Sequence, residues 1–375
     1  MRNKELSFRS GPHVDMPLLV AIVAIATCGL VNLYSATSPY IGSGTHGRIA
    51  DIYVSQIYWI VVGVLLGVIT TVIDYRAFER WATVLYLGGA FSLGLVWVLG
   101  TDIRGASRWI QLGSFTFQPS EFMKIVIVLM IARYIHNDPK TEPRTLIDLA
   151  PPVAFGLVPA LVVMAQPDLG TAIIFIMTTL SVVGMTKIRS RTVFNISVAA
   201  VIGMVLFWNY RTSLLHGYQL RRLESFVNPD ADKTGAAWHA IQAQTAIGNG
   251  GLTGEGFMQG TQNQFGRLPD QYSDFPFAVF AEDWGLLGSL VLLVLYGFVC
   301  IWAVHIASQA RDRFGAALAI GVGAIFFWHT LFNLGMAIGL FPVVGITLPL
   351  FSYGGSSVVT ILISLGFLMN VSMRR

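Results

Sequence analysis

Charged side chains are scarce in this sequence. Asp, Glu, Lys and Arg make up only 12% of its 375 residues, whereas a soluble domain carries about 25%. Hydrophobic residues account for 54% of the chain, and the mean hydropathy is +0.64. Most of the chain must therefore be buried in something other than a soluble core.

The sequence also has few cysteines and a small net charge. The two cysteines, Cys28 and Cys300, are too few for a disulfide framework. Both lie in apolar runs far apart in the sequence, and we interpret them as small apolar filler. The formal net charge of +4 is too small to indicate a nucleic-acid partner.

Long apolar runs dominate what is present. A helix that crosses a membrane needs about 20 mostly apolar residues. Ten runs qualify or nearly qualify, and they begin near Met16, Val54, Trp81, Pro119, Ala150, Leu169, Val193, Phe275, Phe314 and Leu350. The sequence therefore predicts an all-α polytopic membrane protein, a single domain over residues 1–375 with about ten transmembrane helices. The hydrophilic stretch 211–274 is predicted to be a large extracytoplasmic loop between the seventh and eighth helices.

Lys and Arg are distributed unevenly between the two sides of this bundle. Ten spans place both termini on one side, where the termini and short connections carry 15 basic residues. The opposite short loops carry three, namely Arg48, Arg104 and Arg108. Because short cytoplasmic loops are enriched in Lys and Arg, we predict that both termini are cytoplasmic and that the 211–274 loop is outside.

A charged pair opens the fourth predicted span. Pro119 suits the first position of a helix, which places Glu121 in the first turn, where the helix dipole favours a carboxylate. Lys124 follows three residues later on the same face, and each charge alone would cost about 2.5–3.5 kcal/mol at the bilayer centre. Two interpretations stay open: the pair only satisfies itself, or Lys124 binds an anionic headgroup while Glu121 positions it.

Other unusual residues fall on the same predicted outer face. Asp168 is either the N-cap of the helix that opens at Leu169 or an acid in a cavity. Arg108 and Trp109 either anchor the chain at the membrane interface or bind a phosphate and stack on a sugar. Irregular backbone at membrane depth survives only where protein or a water-filled cavity satisfies it. Several such segments on one face therefore predict a shared outward-facing cavity.

Carboxylates also gather where the long loop returns to the membrane. Asp274 is the last acid of the loop, and Glu282 follows in or near the next helix, so both are functional candidates. Pro276 is a predicted first helical residue, and a helix N-terminus there favours an ionised Asp274. The alternative is that Asp274 only caps the helix. Ser352, in the glycine-containing segment 348–357, is a further cavity candidate.

Together these segments resemble the SEDS family, the RodA, FtsW and SpoVE group of shape, elongation, division and sporulation proteins. The residues that carry the resemblance are Phe117–Glu121 with Lys124, Gln166–Thr171, Ala246–Gly248, Ser273–Phe275 with Ala281–Glu282, and Leu348–Ser357. Gly260–Gln262, shortly before Leu268–Pro269, is more similar to the RodA branch.

The resemblance implies a peptidoglycan glycosyltransferase that polymerises lipid II for cell-wall elongation and rod shape at the outer face of the bacterial cytoplasmic membrane. It implies that Asp274 is the catalytic carboxylate, that Glu121 and Lys124 form a buried acid–base pair, and that Asp168 is a further cavity acid. It also implies a transpeptidase partner, a class B penicillin-binding protein, together with other proteins of the elongation machinery.

The chain departs from the family pattern near the catalytic segment. Ser273 replaces a usual Thr, Asp270 and Asp283 each replace a usual Glu, and Pro276 replaces a usual Ile. Pro276 matters most, because it fixes its own φ and restricts Phe275. The backbone of this segment is therefore expected to differ locally from that of relatives.

Two other functions stay open from the residues alone. A flippase of a lipid-linked precursor would also need an outward cavity, although such carriers show internal repeats that we do not find here. A scaffold would have no use for costly charges in a cavity. His329 and Asn333 share a face of the ninth span without a clear metal-ligand set, and we interpret His329 as a satisfied interior histidine. A divalent cation, Mg²⁺ or Mn²⁺, also stays open as a cofactor.

Overall fold

The computed structural model describes residues 14–40, 51–103, 106–112, 115–214, 217–228 and 235–375. Five basic residues used to predict the orientation lie outside these ranges: Arg2, Lys4, Arg9, Arg48 and Arg104. All of the candidate site residues lie inside them.

The described residues form thirteen α-helices. In chain order these are α1 Met16–Thr37, α2 Ile52–Val72, α3 Tyr75–Leu99, α4 Pro119–Asn137, α5 Leu146–Ala165, α6 Leu169–Gly184, α7 Ser190–Leu214, α8 Tyr218–Val227, α9 Ala236–Asn249, α10 Thr261–Gln264, α11 Pro276–Gln309, α12 Arg313–Ala337 and α13 Gly355–Met373. Each of the ten predicted spans coincides with a long helix, and the loop between the seventh and eighth spans holds α8, α9 and α10.

Length and composition identify most of the long helices as membrane spans. Eight of the described helices are long and apolar enough to cross a membrane. The two exceptions are α4, which carries three charged residues in 19, and α6, which has only 16 residues. The fold is therefore that of a multi-pass membrane protein.

Local sequence signals mark where several helices begin. Asp15 and Asp168 are the N-caps of α1 and α6, and each carboxylate accepts a backbone N–H of its first turn. Thr145 opens α5 with a capping box. Pro119 and Pro276 are the first residues of α4 and α11, where a missing N–H does no harm.

The interior of the bundle lies around α4, α12 and α13. In the most apolar window of α13, 83% of the residues are buried, compared with 6% for α7, whose apolar side chains face outward. α13 packs most closely against α2, since a Cβ at Gly366 would lie 2.4 Å from the carbonyl oxygen of Gly67. Small residues that allow such close approach are typical of helix packing in membranes.

A small sheet interrupts the helical architecture between α3 and α4. Strands β1 Gly100–Ile103, β2 Ala106–Leu112 and β3 Phe115–Phe117 pair antiparallel in that order. Thr101 faces Trp109 in the register of β1 and β2. The all-α prediction did not include these strands, which carry Arg108 and Trp109 towards the candidate site.

α11 is broken at Gly285, which has φ of 64° and ψ of −162°. The glycine-containing loop 250–256 binds the unwound turn through its backbone. The N–H groups of Glu255 and Gly256 donate to the carbonyls of Glu282 and Asp283 at 2.9 and 3.1 Å. We call this arrangement the α11 clasp. It satisfies non-helical backbone inside the protein, as a membrane interior requires.

Candidate active site

A cavity of about 810 Å³ lies among the sheet, the irregular segments and the ends of several helices. Five of the predicted site residues line it: Arg108, Trp109, Glu121, Asp168 and Asp274. The structure therefore brings these five predicted residues together at one cavity. Lys124, Glu282 and Ser352 do not line this cavity.

Asp274 lies on the turn that precedes α11 and is partly buried. Its N–H donates to the carbonyl of Asp270 at 3.0 Å, and Asp270 itself has a φ of +47°. The N-cap of α11 is Phe275, and no side chain caps this helix end. Asp274 is thus one residue too early to be the cap, which leaves its carboxylate on the cavity wall.

Arg222 approaches the carboxylate of Asp274. Gly345 has a φ of +75°, and a Cβ built there would lie 3.6 Å from Nη1 of Arg222 and 3.8 Å from Oδ2 of Asp274. An Arg and an Asp therefore converge on one point of the wall. The sequence analysis missed Arg222, although the Arg221–Arg222 pair in the long loop was a signal that could have found it.

Asp168 combines the two roles that the sequence left open. Its carboxylate caps α6 by accepting the Thr171 N–H and hydroxyl at 3.2 and 2.9 Å. The same group lies 3.4 Å from Nη1 of Arg108 and accepts from the amide of Gln118 at 3.3 Å. Arg108 also donates to the carbonyl of Pro167. Strand β2 thus holds the guanidinium beside a carboxylate at the cavity wall.

The predicted pair of Glu121 and Lys124 is present. Nζ of Lys124 lies 2.7 Å from the Glu121 carboxylate, and the two residues are 2% and 6% exposed. The ammonium has a second acceptor in Nε2 of His329, at 2.9 Å. Since Nδ1 of His329 lies 3.1 Å from the carbonyl of Thr347, the neutral ring donates there and accepts from Lys124. Both ring nitrogens have partners, as expected for a satisfied interior histidine.

Lys124 is therefore held inside the protein. Glu121 lines the cavity and the ammonium lies behind it. The basic residues among the cavity-lining groups are Arg108, Arg222 and His329. Of these, the two arginines are the permanent cations suited to phosphate groups.

The two other candidates hold the backbone near the cavity. Glu282 is fully buried and accepts the backbone N–H groups of Gln262 and Asn263 at 2.8 and 3.2 Å, which fixes α10 against α11. The hydroxyl of Ser352 accepts the N–H of Leu348 at 2.8 Å. Both side chains are thereby committed to contacts within the protein.

Aromatic side chains complete the wall. Trp59, Trp109, Tyr272 and Tyr353 line the cavity, and such flat apolar faces suit the rings of sugars. The rings of Tyr272 and Tyr353 meet edge to face at 6.4 Å. Burial and the nearby Tyr272 raise the pKa of Tyr353, so this hydroxyl stays protonated and able to donate near neutral pH.

Metal-binding side chains do not cluster in the described part of the chain. No three His, Cys, Asp or Glu residues there lie close enough together to hold a metal ion. The cavity acids Asp168 and Asp274 approach Arg108 and Arg222 instead. These residues do not fit a protein-held Mg²⁺ or Mn²⁺, and no reaction step is assigned to one.

Known proteins share this architecture. The crystal structure of the rod shape determining protein RodA of Thermus thermophilus matches with a TM-score of 0.69 at 28% identity and covers 96% of each chain. A chain from a peptidoglycan synthase complex, described for its coordination of polymerization and crosslinking, matches with a TM-score of 0.79 at 28% identity. That match covers 96% of this chain and 97% of the other.

Sequence comparison finds related proteins of similar length. The peptidoglycan glycosyltransferase MrdB of Escherichia coli (strain K12) is 35% identical over 97% of this chain and 94% of its own length. The peptidoglycan glycosyltransferase RodA of Treponema pallidum (strain Nichols) is 30% identical over 99% of this chain and 100% of its own. The family model described as "Cell cycle protein", for FtsW, RodA and SpoVE, matches residues 16–375. The chain therefore belongs to the FtsW, RodA and SpoVE family.

Proposed function

We propose that this protein is a peptidoglycan glycosyltransferase that polymerises the undecaprenyl-pyrophosphate-linked disaccharide lipid II during cell-wall elongation. The observation that carries the proposal is one cavity whose wall holds carboxylates, two arginines and several aromatic rings. Asp274 supplies one of the carboxylates, and Arg108 and Arg222 supply the cations. The related proteins with this fold are themselves named peptidoglycan glycosyltransferases.

The reaction forms one glycosidic bond and breaks one bond to a phosphate. The C4 hydroxyl of one saccharide unit attacks the anomeric carbon of another, while Asp274 takes the hydroxyl proton as general base. The bond from the anomeric carbon to the phosphate oxygen breaks, and undecaprenyl pyrophosphate leaves with the electron pair. Arg108 and Arg222 stabilise the charge on the departing pyrophosphate, and the aromatic wall orients the sugars.

Location and partners belong to the same proposal. The protein lies in the bacterial cytoplasmic membrane with both termini in the cytoplasm, and its cavity opens to the outside. The uneven distribution of Lys and Arg supports this orientation. The partner is a class B penicillin-binding protein that cross-links the new strands, joined by other elongation proteins. The similarity to a chain of a peptidoglycan synthase complex supports a partner of this kind.

Asp274→Asn tests the assignment of the base. Asn is similar in size and hydrogen bonding but cannot take a proton, so we expect polymerisation of lipid II to fall by about 10²–10⁴-fold. The assay uses the purified full-length protein with its partner and follows glycan chain length. Membrane levels and partner binding should stay normal.

An active Asn variant would move the role of general base to another acid. If the Asn variant kept more than about a tenth of the wild-type rate, the contribution of a general base could not lie with Asp274. Asp168, the other acid that lines the cavity beside an arginine, would then be the next to test. If the wild-type protein made no glycan chains but moved lipid II across vesicles, the flippase alternative would replace the polymerase.

A further inference from the structure

α12 presents one buried amide to two different segments of the cavity wall. Asn333 is 0% exposed, and its Nδ2 donates to the carbonyls of Asp274 and Ile346 at 3.0 and 2.8 Å. Asp274 belongs to the turn before α11, and Ile346 belongs to the irregular segment between α12 and α13. The two protons of one amide nitrogen therefore join parts of the chain that are distant in sequence.

The carbonyl of Asp274 needs a donor from outside its own helix. Because Phe275 is the N-cap of α11, the carbonyl of Asp274 lies before the first acceptor of the helical ladder. Pro276 has no N–H to offer to the nearby backbone. Asn333 supplies a donor from another helix, so the turn that bears the carboxylate is attached to α12.

The second acceptor of Asn333, the carbonyl of Ile346, connects this turn to the segment between α12 and α13. Ile346 follows Gly345, and the carboxylate oxygen Oδ2 of Asp274 would lie 3.8 Å from a Cβ at Gly345. The carboxylate thus lies close to the backbone that Asn333 holds. One helical turn earlier, His329 meets the carbonyl of Thr347, so one face of α12 binds two consecutive carbonyls of this wall.

We infer that Asn333 is a positioning residue for glycan polymerisation. It fixes the turn that bears Asp274 against the wall at 345–347 and so sets where the carboxylate meets the attacking hydroxyl. The inference rests on the proposed role of Asp274 as general base. Since Asn333 lies behind the cavity lining, its loss changes the rate of the chemical step and leaves substrate affinity in place.

The test measures kcat and KM for lipid II with the full-length protein and its cross-linking partner. Asn333→Leu keeps the volume of the side chain and removes both donors. Asn333→Ser keeps one donor but leaves a gap. If packing is what matters, the Leu variant should be the more active of the two. If hydrogen bonding is what matters, the Ser variant should be the more active. Thr330→Val is the matched control, because Thr330 is buried on the same helix and its hydroxyl donates to the carbonyl of Phe326 within that helix.

We expect Asn333→Leu to lower kcat by about tenfold to a hundredfold, as small misplacements of catalytic groups do. KM should stay within about twofold, the pattern of an interaction that matters only in the transition state. Asn333→Ser should retain a higher kcat than Asn333→Leu, and Thr330→Val should match the wild type. If Asn333→Leu does not reach the membrane, Asn333→Ser takes its place, and we then expect a lower kcat than wild type with KM again within about twofold.

Three results would overturn the inference, and they separate it from the proposed base. If Asp274→Asn is inactive while Asn333→Leu keeps kcat within about twofold of wild type, only the positioning role fails. A loss that falls mainly on KM also removes the positioning role alone. If Asp274→Asn stays active, the base assignment fails first and the positioning inference fails with it.

Discussion

Single residues in this protein carry charges that a membrane interior normally excludes. Lys124 is 2% exposed, yet its ammonium has two acceptors, the Glu121 carboxylate at 2.7 Å and Nε2 of His329 at 2.9 Å. Two of its three N–H groups thus have protein acceptors, and the ammonium lies behind the cavity lining. We therefore assign the phosphate contacts to Arg108 and Arg222, and to the Glu121–Lys124 pair the shaping of the wall.

The buried pair should behave as a coupled unit. Removing one member strands the other at a cost of roughly 3–5 kcal/mol, so Glu121→Ala and Lys124→Ala should each lower thermal stability in detergent and impair polymerisation. The double variant should lose much less than the sum of the two single losses. A double-mutant cycle in stability and in activity measures this coupling.

A more exposed pair provides the control for that cycle. Lys140 and Asp148 lie 2.6 Å apart with side chains 33% and 23% exposed, so solvent screens their attraction. Their cycle should therefore show little coupling. Simple additivity of the Glu121→Ala and Lys124→Ala losses would show that the buried residues do not interact.

At the scale of elements, the α11 clasp explains the glycine-containing loop between α9 and α10. Gly254 has a φ of +84°, and a Cβ there would lie 2.1 Å from the carbonyl oxygen of Asp283. Gly285, on the opposite side, would bring a Cβ to 2.3 Å from the backbone nitrogen of Gly254. The backbone of the 250–256 loop and that of α11 approach too closely for any side chain between them. They do so because they form hydrogen bonds with each other where the helical hydrogen bonds of α11 are interrupted.

Gly254→Ala should therefore loosen the clasp. The positive φ alone costs about 1–3 kcal/mol for a residue with a Cβ, and the contact with backbone adds to it. We expect a lower melting temperature in detergent and faster proteolysis of the 250–275 region. Gly248→Ala is the matched control, since Gly248 lies in the last turn of α9 with open space around its Cβ position. Equal melting temperatures for the two variants would contradict the role of the clasp.

At the scale of the whole molecule, the protein has an apolar exterior around a polar cavity. α7 shows the exterior most clearly, because its residues are nearly all exposed and mostly apolar. The cavity, by contrast, is lined by acids, arginines and hydroxyl groups. The apolar exterior can contact the hydrocarbon of a bilayer, whereas the polar cavity wall must contact water or a polar substrate.

The orientation can be measured across a single helix. Lys187 lies just before α7, and Lys233 follows α7 in the sequence. In a variant whose Cys28 and Cys300 are replaced by Ser, we expect Lys233→Cys to react with a membrane-impermeant maleimide added outside spheroplasts. Lys187→Cys should react only after permeabilisation, because the positive-inside rule places it in the cytoplasm. The reverse pattern would invert the topology and turn the cavity to the cytoplasm.

Much of the architecture follows from local physics and was predictable from the sequence. Apolar runs that span or nearly span a bilayer predicted all ten long helices. Pro119 and Asp168 set the starts of α4 and α6 through rules that act within one helical turn. The pairing of Glu121 with Lys124 follows likewise from a spacing of three residues on one helix.

Contacts between distant segments were decided only by the tertiary structure. No local pattern indicates that Arg222 and Asp274 converge at Gly345, or that Asn333 holds the carbonyl of Asp274. The strands that carry Arg108 are too short to stand out in the sequence. Local hydrogen bonds and apolar length are encoded residue by residue, whereas the cavity exists only once α4, α12 and the loops pack together and satisfy one another's buried polar groups.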